Sequence, residues 1–83
     1  MDILPVSPKI ISKVKSIGIQ RKFIKQIKLL QLDPKYPSLN VELLEPKKHG
    51  IYSFRIDRKY RGMFIFRKDL GRLEIIAVTD HYQ

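Results

Sequence analysis

Gly50-Ile51-Tyr52-Ser53-Phe54-Arg55-Ile56-Asp57-Arg58-Lys59-Tyr60-Arg61 is the stretch on which the reading of this chain turns. Tyr52, Phe54 and Ile56 fall on one side of an extended backbone, and Ile51, Ser53 and Arg55 on the other. That two-residue period is the mark of a half-buried strand. Asp57-Arg58-Lys59 interrupts it as a short hairpin turn without glycine. A second strand then runs from Tyr60 to about Arg67. Tyr60, Gly62, Phe64 and Phe66 lie on one of its faces, and Arg61, Met63 and Ile65 on the other. The two strands begin an antiparallel sheet whose non-aromatic face carries Arg55 and Arg61. Arginine in the middle of a small sheet costs desolvation and side-chain entropy, so its placement calls for a reason.

Toward the C-terminus, Lys68-Asp69-Leu70-Gly71 reads as a second hairpin turn, with Gly71 suited to positive φ. Leu73–Thr79 is the last strand. Its near-continuous apolar run, Ile75-Ile76-Ala77-Val78, predicts a central or doubly covered position. Toward the N-terminus, Pro46 and Gly50 bracket the turn into the sheet. Leu39, Val41, Leu43 and Leu44 pin to the core a connection, Asp33–Asn40, whose two prolines forbid regular structure. Before it, Gln20–Leu32 has the helical stripe Phe23, Ile27 and Leu30, widened by Ile24 and by Leu29 or Leu32. An earlier helix starts with Ser7 as N-cap and Pro8 at its first position. It continues through Ile10, Val14 and Ile17 and stops at Gly18. Asp2–Val6 is a short apolar stretch that Pro5 confines to an edge strand. The order is therefore β-α-α-β-β-β. The class is α+β: an antiparallel sheet covered on one face by an N-terminal helical hairpin and open on the other.

Eighty-three residues make a single domain, 1–83, with a small core. There is no cysteine, hence no disulfide framework and no thiolate metal site. No His/Cys/Asp cluster at metal spacing occurs, so neither metal nor other cofactor is expected. No apolar run approaches the roughly 20 residues of a membrane helix, and no secretory signal precedes the fold. The expectation is a cytoplasmic protein without a membrane partner. Lys and Arg number 17 against 8 Asp and Glu, a net charge of +9. Such density favours a polyanion or an acidic protein over a merely soluble surface.

The ending, Thr79-Asp80-His81-Tyr82, supplies chemistry. His81 follows directly from the last strand and brings a proton exchanger for neutral pH. Set beside a sheet bearing Arg55 and Arg61, it suggests cleavage of an RNA phosphodiester. There the RNA's own 2′-OH is the nucleophile, and arginine's planar fork meets the phosphate oxygens. His81 suits protonation of the leaving oxygen. A carboxylate such as Glu42 suits removal of the 2′ proton. The competing reading is that Arg55 and Arg61 form surface ion pairs with Glu42, Glu74 or Asp80.

Ser7-Pro8-Lys9, Asp33–Leu39, Gly50–Ile56, Tyr60-Arg61 and the closing Asp80-His81-Tyr82 together resemble the RelE/ParE toxin superfamily. Within it, they resemble the RelE/YoeB-like mRNA interferases of type II toxin–antitoxin systems. The resemblance implies a ribosome-dependent endoribonuclease that cleaves mRNA in the A site and inhibits translation. Arg61 falls at the family's phosphate-stabilising arginine. His81 and Tyr82 fall at its His-Tyr ending, where the His is the general acid. Glu42, eight residues before Gly50, falls at its general base. Lys47 and Lys48 sit where basic residues approach RNA, and Arg55 matches a strand arginine. The division of acid and base roles among Glu42, His81 and Tyr82 stays open. The implied partners are mRNA on the ribosome and a cognate antitoxin, acidic and partly disordered, in a hetero-oligomer. The superfamily also holds non-catalytic ParE-like members directed at DNA gyrase, and a basic RNA-binding module without activity is a third reading. Gly62 departs from the family's aliphatic residue after Tyr-Arg, and His49 is an additional loop histidine.

Overall fold

The computed structural model of the chain describes residues 1–80. Helix α1 spans Pro8–Ser16 and α2 spans Gln20–Leu32. A four-stranded antiparallel sheet follows in the order β1-β2-β3-β4: β1 Glu42–Leu43, β2 Ile51–Arg55, β3 Arg61–Arg67 and β4 Arg72–Thr79. Short 3₁₀ turns, Pro37–Leu39 and Lys47–His49, precede β1 and β2.

Local chemistry accounts for the helices. The Ser7 hydroxyl accepts a hydrogen bond from the Ile10 N–H at 3.3 Å, and Pro8 stands where its missing donor costs nothing. Val14, Phe23 and Leu30 are buried against the sheet. They meet Phe54, Phe64, Ile75 and Val78 in one core, into which Leu39 of the connection is fully inserted. Gln26 is buried on the same stripe, a polar residue that periodicity alone passes over. Its amide donates to the Ser38 carbonyl (3.2 Å) and the Arg55 carbonyl (2.8 Å), tying α2 to both the connection and the end of β2. Ile24, expected to widen the stripe, is exposed, and of the alternatives Leu29 and Leu32 it is Leu29 that packs against the core while Leu32 is exposed.

The sheet corrects three expectations. Asp2–Val6 forms no strand. Ile3 makes one parallel bridge to Leu73, and the Leu4 N–H and Leu73 N–H complete it on the free edge of β4. Pro5 ends the pairing there by withholding a donor. The first strand is instead Glu42–Leu43, within a segment read as connection; its register is Glu42↔Ser53 and Leu43↔Tyr52. Finally, β4 is the outermost full strand, not a central one. A register shift opposite Met63 and Phe64 inserts an extra residue, so Ile75 and Val78 both reach the core while Ile76 is left 38% exposed. The β-bulge, not double coverage, explains the unbroken apolar run.

Gly62 has a packing reason. A Cβ there would lie 2.3 Å from the Phe54 ring, so the aromatic fills the space that an aliphatic side chain would need. The turn between β2 and β3 closes without glycine because the Asp57 carboxylate accepts from the N–H groups of Lys59 (2.9 Å) and Tyr60 (2.7 Å). Gly71, at φ +65°, closes the turn between β3 and β4 in the left-handed region. Lys13 of α1 donates to the Val78 carbonyl at 2.6 Å, fastening the hairpin over β4.

Candidate active site

Directly opposed residues of an antiparallel pair project to the same face. Arg55 of β2 pairs with Arg61 of β3, which pairs with Thr79 of β4. Ser53 lies two residues before Arg55 and opposite Glu42 of β1. Glu42, Ser53, Arg55 and Arg61 therefore share the face turned away from the helices. The alternation read from the sequence is the one observed.

That face is less open than expected. Arg61 is only 6% exposed, and Ser53 beneath it is fully buried. The guanidinium donates from Nε (3.2 Å) and Nη2 (2.9 Å) to Ser53 Oγ, and from Nη2 to the Asn40 carbonyl at 2.6 Å. Asn40 presents that carbonyl from a left-handed backbone, φ +44°, a conformation that asparagine tolerates. Burial pushes the Arg61 pKa below its ordinary value; the Glu42 charge pulls it back up, and Arg55 pushes it down again. Arginine retains its proton throughout the physiological range. Among the described residues, two guanidinium groups, Arg55 and Arg61, and the Glu42 carboxylate share a partly dry surface, and arginine's planar fork suits an anion.

Ser53 and Asn40 had not been singled out as site residues. For Ser53 the signal was available: two residues before Arg55, it belongs to the same face. For Asn40 the signal was weak, because its carbonyl becomes an acceptor for Arg61 only once the connection folds over β2.

Lys47 and Lys48 are not part of this cluster. They occupy the exposed turn before β2. β2 separates that turn from Arg55 by about 13 Å at the rise of a strand. Arg58 and Lys59 stay in the β2–β3 turn, Lys59 over the Tyr60 ring at 5.4 Å. His81 and Tyr82 lie outside the described residues. Among the described residues, no three His, Cys, Asp or Glu side chains gather as a metal site. No helix there is long and apolar enough to cross a membrane. On the opposite side of the molecule, Ile11 and Val14 of α1 and Phe23, Ile24 and Ile27 of α2 line an apolar groove of about 260 Å³, with Lys28 at its edge.

A helical hairpin over an antiparallel meander is also the fold of solved YoeB/ParE toxin structures. Solved structures carry the same fold along the whole chain. The YoeB/ParE toxin from Agrobacterium tumefaciens superposes with a TM-score of 0.74 at 21% identity, covering 99% of this chain and 100% of that one. The toxin–antitoxin complex of YoeB and YefM from Staphylococcus aureus, a heterotetramer, matches at 0.70 and 19% identity over 99% and 98% of the two chains. The YoeB dimer from Staphylococcus aureus matches at 0.66 and 17% identity over 98% and 94%. No protein-family model matches the chain, and no curated protein does.

Proposed function

We propose that this chain is the toxin of a type II toxin–antitoxin system and cleaves mRNA in the ribosomal A site. The observation that carries the reading is Arg61, held by Ser53 and Asn40 beside Arg55 and Glu42 on one sheet face. The fold it shares with YoeB toxins supports it.

In the proposed reaction the 2′-oxygen attacks the adjacent phosphorus, the bond from phosphorus to the 5′-oxygen breaks, and a 2′,3′-cyclic phosphate and a free 5′-OH result. Glu42 accepts the 2′ proton and His81 delivers one to the leaving oxygen, with Tyr82 beside it; acid and base catalysis of this kind contribute about 10²–10⁴-fold. Arg61 and Arg55 take the charge that builds on the phosphoryl oxygens. A guanidinium already tied down by its scaffold needs little reorganisation as that charge develops. Lys47 and Lys48 hold RNA outside the reacting group.

The partner in this reading is an acidic antitoxin, partly disordered until it binds, which complements a +9 domain. The groove between α1 and α2 offers it an apolar seat.

The test is growth arrest on expression, read together with primer extension on the recovered mRNA. Arg61→Ala and His81→Ala should each relieve the arrest and abolish the cleavage ends, with Arg61→Ala lowering the rate about 10²–10³-fold. Arrest that survives both substitutions over intact mRNA would assign a non-catalytic, ParE-like inhibitor instead.

A further inference from the structure

At the end of β2 and β3 remote from Arg61 lies a second concavity that the proposed chemistry leaves unused. It measures about 580 Å³ and is formed by the turn before β2 and by the end of β3 with the turn that follows. That size is within the range of about 300–1,000 Å³ typical of ligand sites. Phe66, 44% exposed, stands in it, next to the half-buried Tyr52. Lys48, His49 and Lys68 line the same concavity and are exposed. Arg67, also in the lining, is engaged by Asp69 at 2.8 Å and Glu74 at 2.9 Å and serves as wall. An accessible aromatic ring among lysines suits a nucleic-acid strand: the ring takes the face of a base, and the ammonium groups take phosphates. An acidic peptide would engage the lysines but would leave the ring without a stacking partner.

We infer that this concavity is a subsite for single-stranded RNA, in which a base stacks on Phe66 while Lys48 and Lys68 hold the flanking phosphates. The inference rests on the reading of the Arg61 face as an RNA-cleaving centre. Phe66 follows the alternation of Phe64, on the sheet face opposite Arg61, so the substrate is narrowed to a strand long enough to run along β2 and turn round the end of the sheet. The length of β2 alone, from Ile51 to Arg55, is about 13 Å. Because a stacking platform accepts any base, the subsite adds affinity and footprint without sequence preference. It also gives His49, otherwise an isolated loop histidine, a place beside bound phosphate.

The test is equilibrium binding of the full chain to a fluorescein-labelled decanucleotide RNA carrying 2′-O-methyl sugars throughout. Methylation removes the nucleophile, so binding is read without cleavage. Phe66→Ala should weaken binding about 5- to 150-fold, the loss of one base–aromatic stack, while Phe66→Tyr retains it. Lys48→Ala and Lys68→Ala should each reduce the salt slope by about one. Unchanged affinity in Phe66→Ala overturns the subsite, as does equal loss in Phe66→Ala and Phe66→Tyr. A polyglutamate peptide that binds the wild type and loses affinity in Phe66→Ala as much as the RNA does also overturns it, in favour of a protein partner. If Phe66→Ala does not fold, the double variant Lys48→Glu/Lys68→Glu must lose the RNA; retention overturns the inference. Cleavage of ribosome-bound mRNA by Arg61→Ala is measured separately, so failure of the catalytic reading and failure of the subsite are distinguishable.

Discussion

Arg61 is a buried cation, and its neighbours decide what that costs. Removing a guanidinium from water is unfavourable, and the cost is offset by hydrogen bonds to Ser53 Oγ and the Asn40 carbonyl and by the nearby charge of Glu42. Ser53 is then a positioning residue: it accepts from both Nε and Nη2 and so orients the planar group. Ser53→Ala leaves two buried donor contacts without their acceptor. It should lower stability by about 1–3 kcal/mol. If the face cleaves RNA as proposed, Ser53→Ala should also reduce the cleavage rate at least tenfold with KM nearly unchanged, because a misaimed guanidinium loses transition-state contact before it loses affinity. Thermal unfolding and single-turnover cleavage, measured together, check both; an unaltered rate in a destabilised variant limits Ser53 to a structural role. The arginines were legible in the sequence because strand alternation is local: Arg55 two residues from Ser53, and Arg61 across a short turn. The Asn40 carbonyl was not, since any residue has one and only the folded connection brings this one to Arg61.

At the level of elements, turns and strands follow different logic. Helix α1 was legible from its cap and stripe and α2 from its stripe alone, because an N-cap bond and a buried face are both set within one or two turns of chain. Strand β1 was not: two residues between prolines carry no period, and Glu42–Leu43 becomes a strand only by pairing with β2. The apolar run in β4 was misleading because a bulge breaks the period on which the face assignment depends. The turn between β2 and β3 is held by Asp57, and this element titrates. Partial burial pushes the Asp57 pKa up, but the N–H groups of Tyr60 and Lys59 and the charge of Lys22 together hold it below the usual carboxylate value. A carboxylate whose folded pKa is depressed contributes stability that is fully present above its unfolded value, near 3.9, and is lost as pH falls through the folded value. Asp57→Asn keeps an acceptor oxygen but removes the titration. The wild type should therefore lose melting temperature as the pH falls below about 4, while Asp57→Asn loses less over the same range. Parallel acid slopes for the two proteins would assign the acid sensitivity elsewhere.

On the scale of the whole molecule, the arginine-bearing face and the apolar groove point in opposite directions, on the two sides of one thin sheet. A partner seated in the groove need not touch the arginine-bearing face, yet it can bring a disordered segment around the edge to reach it. The groove's walls are Ile11 and Ile24, the latter 44% exposed, with Lys28 at the rim, and the outer helix surface adds Lys25 and Arg21. An amphipathic helix with acidic flanks fits both the apolar floor and the charge. Ile24→Glu puts a like charge against such a partner and a polar group into the contact, while the partial exposure of Ile24 spares the core. The substitution should weaken antitoxin binding by at least about 2 kcal/mol, roughly 30-fold, as expected for the centre of an interface. The proposed cleavage activity of the isolated chain should be unchanged. Co-expression with the cognate antitoxin reads the difference directly, since Ile24→Glu cells should stay arrested where wild-type cells are rescued. Full rescue of Ile24→Glu, together with loss of antitoxin binding by the isolated Arg55→Glu chain, would place the antitoxin on the arginine face, where it would neutralise by occupying the proposed phosphate site itself.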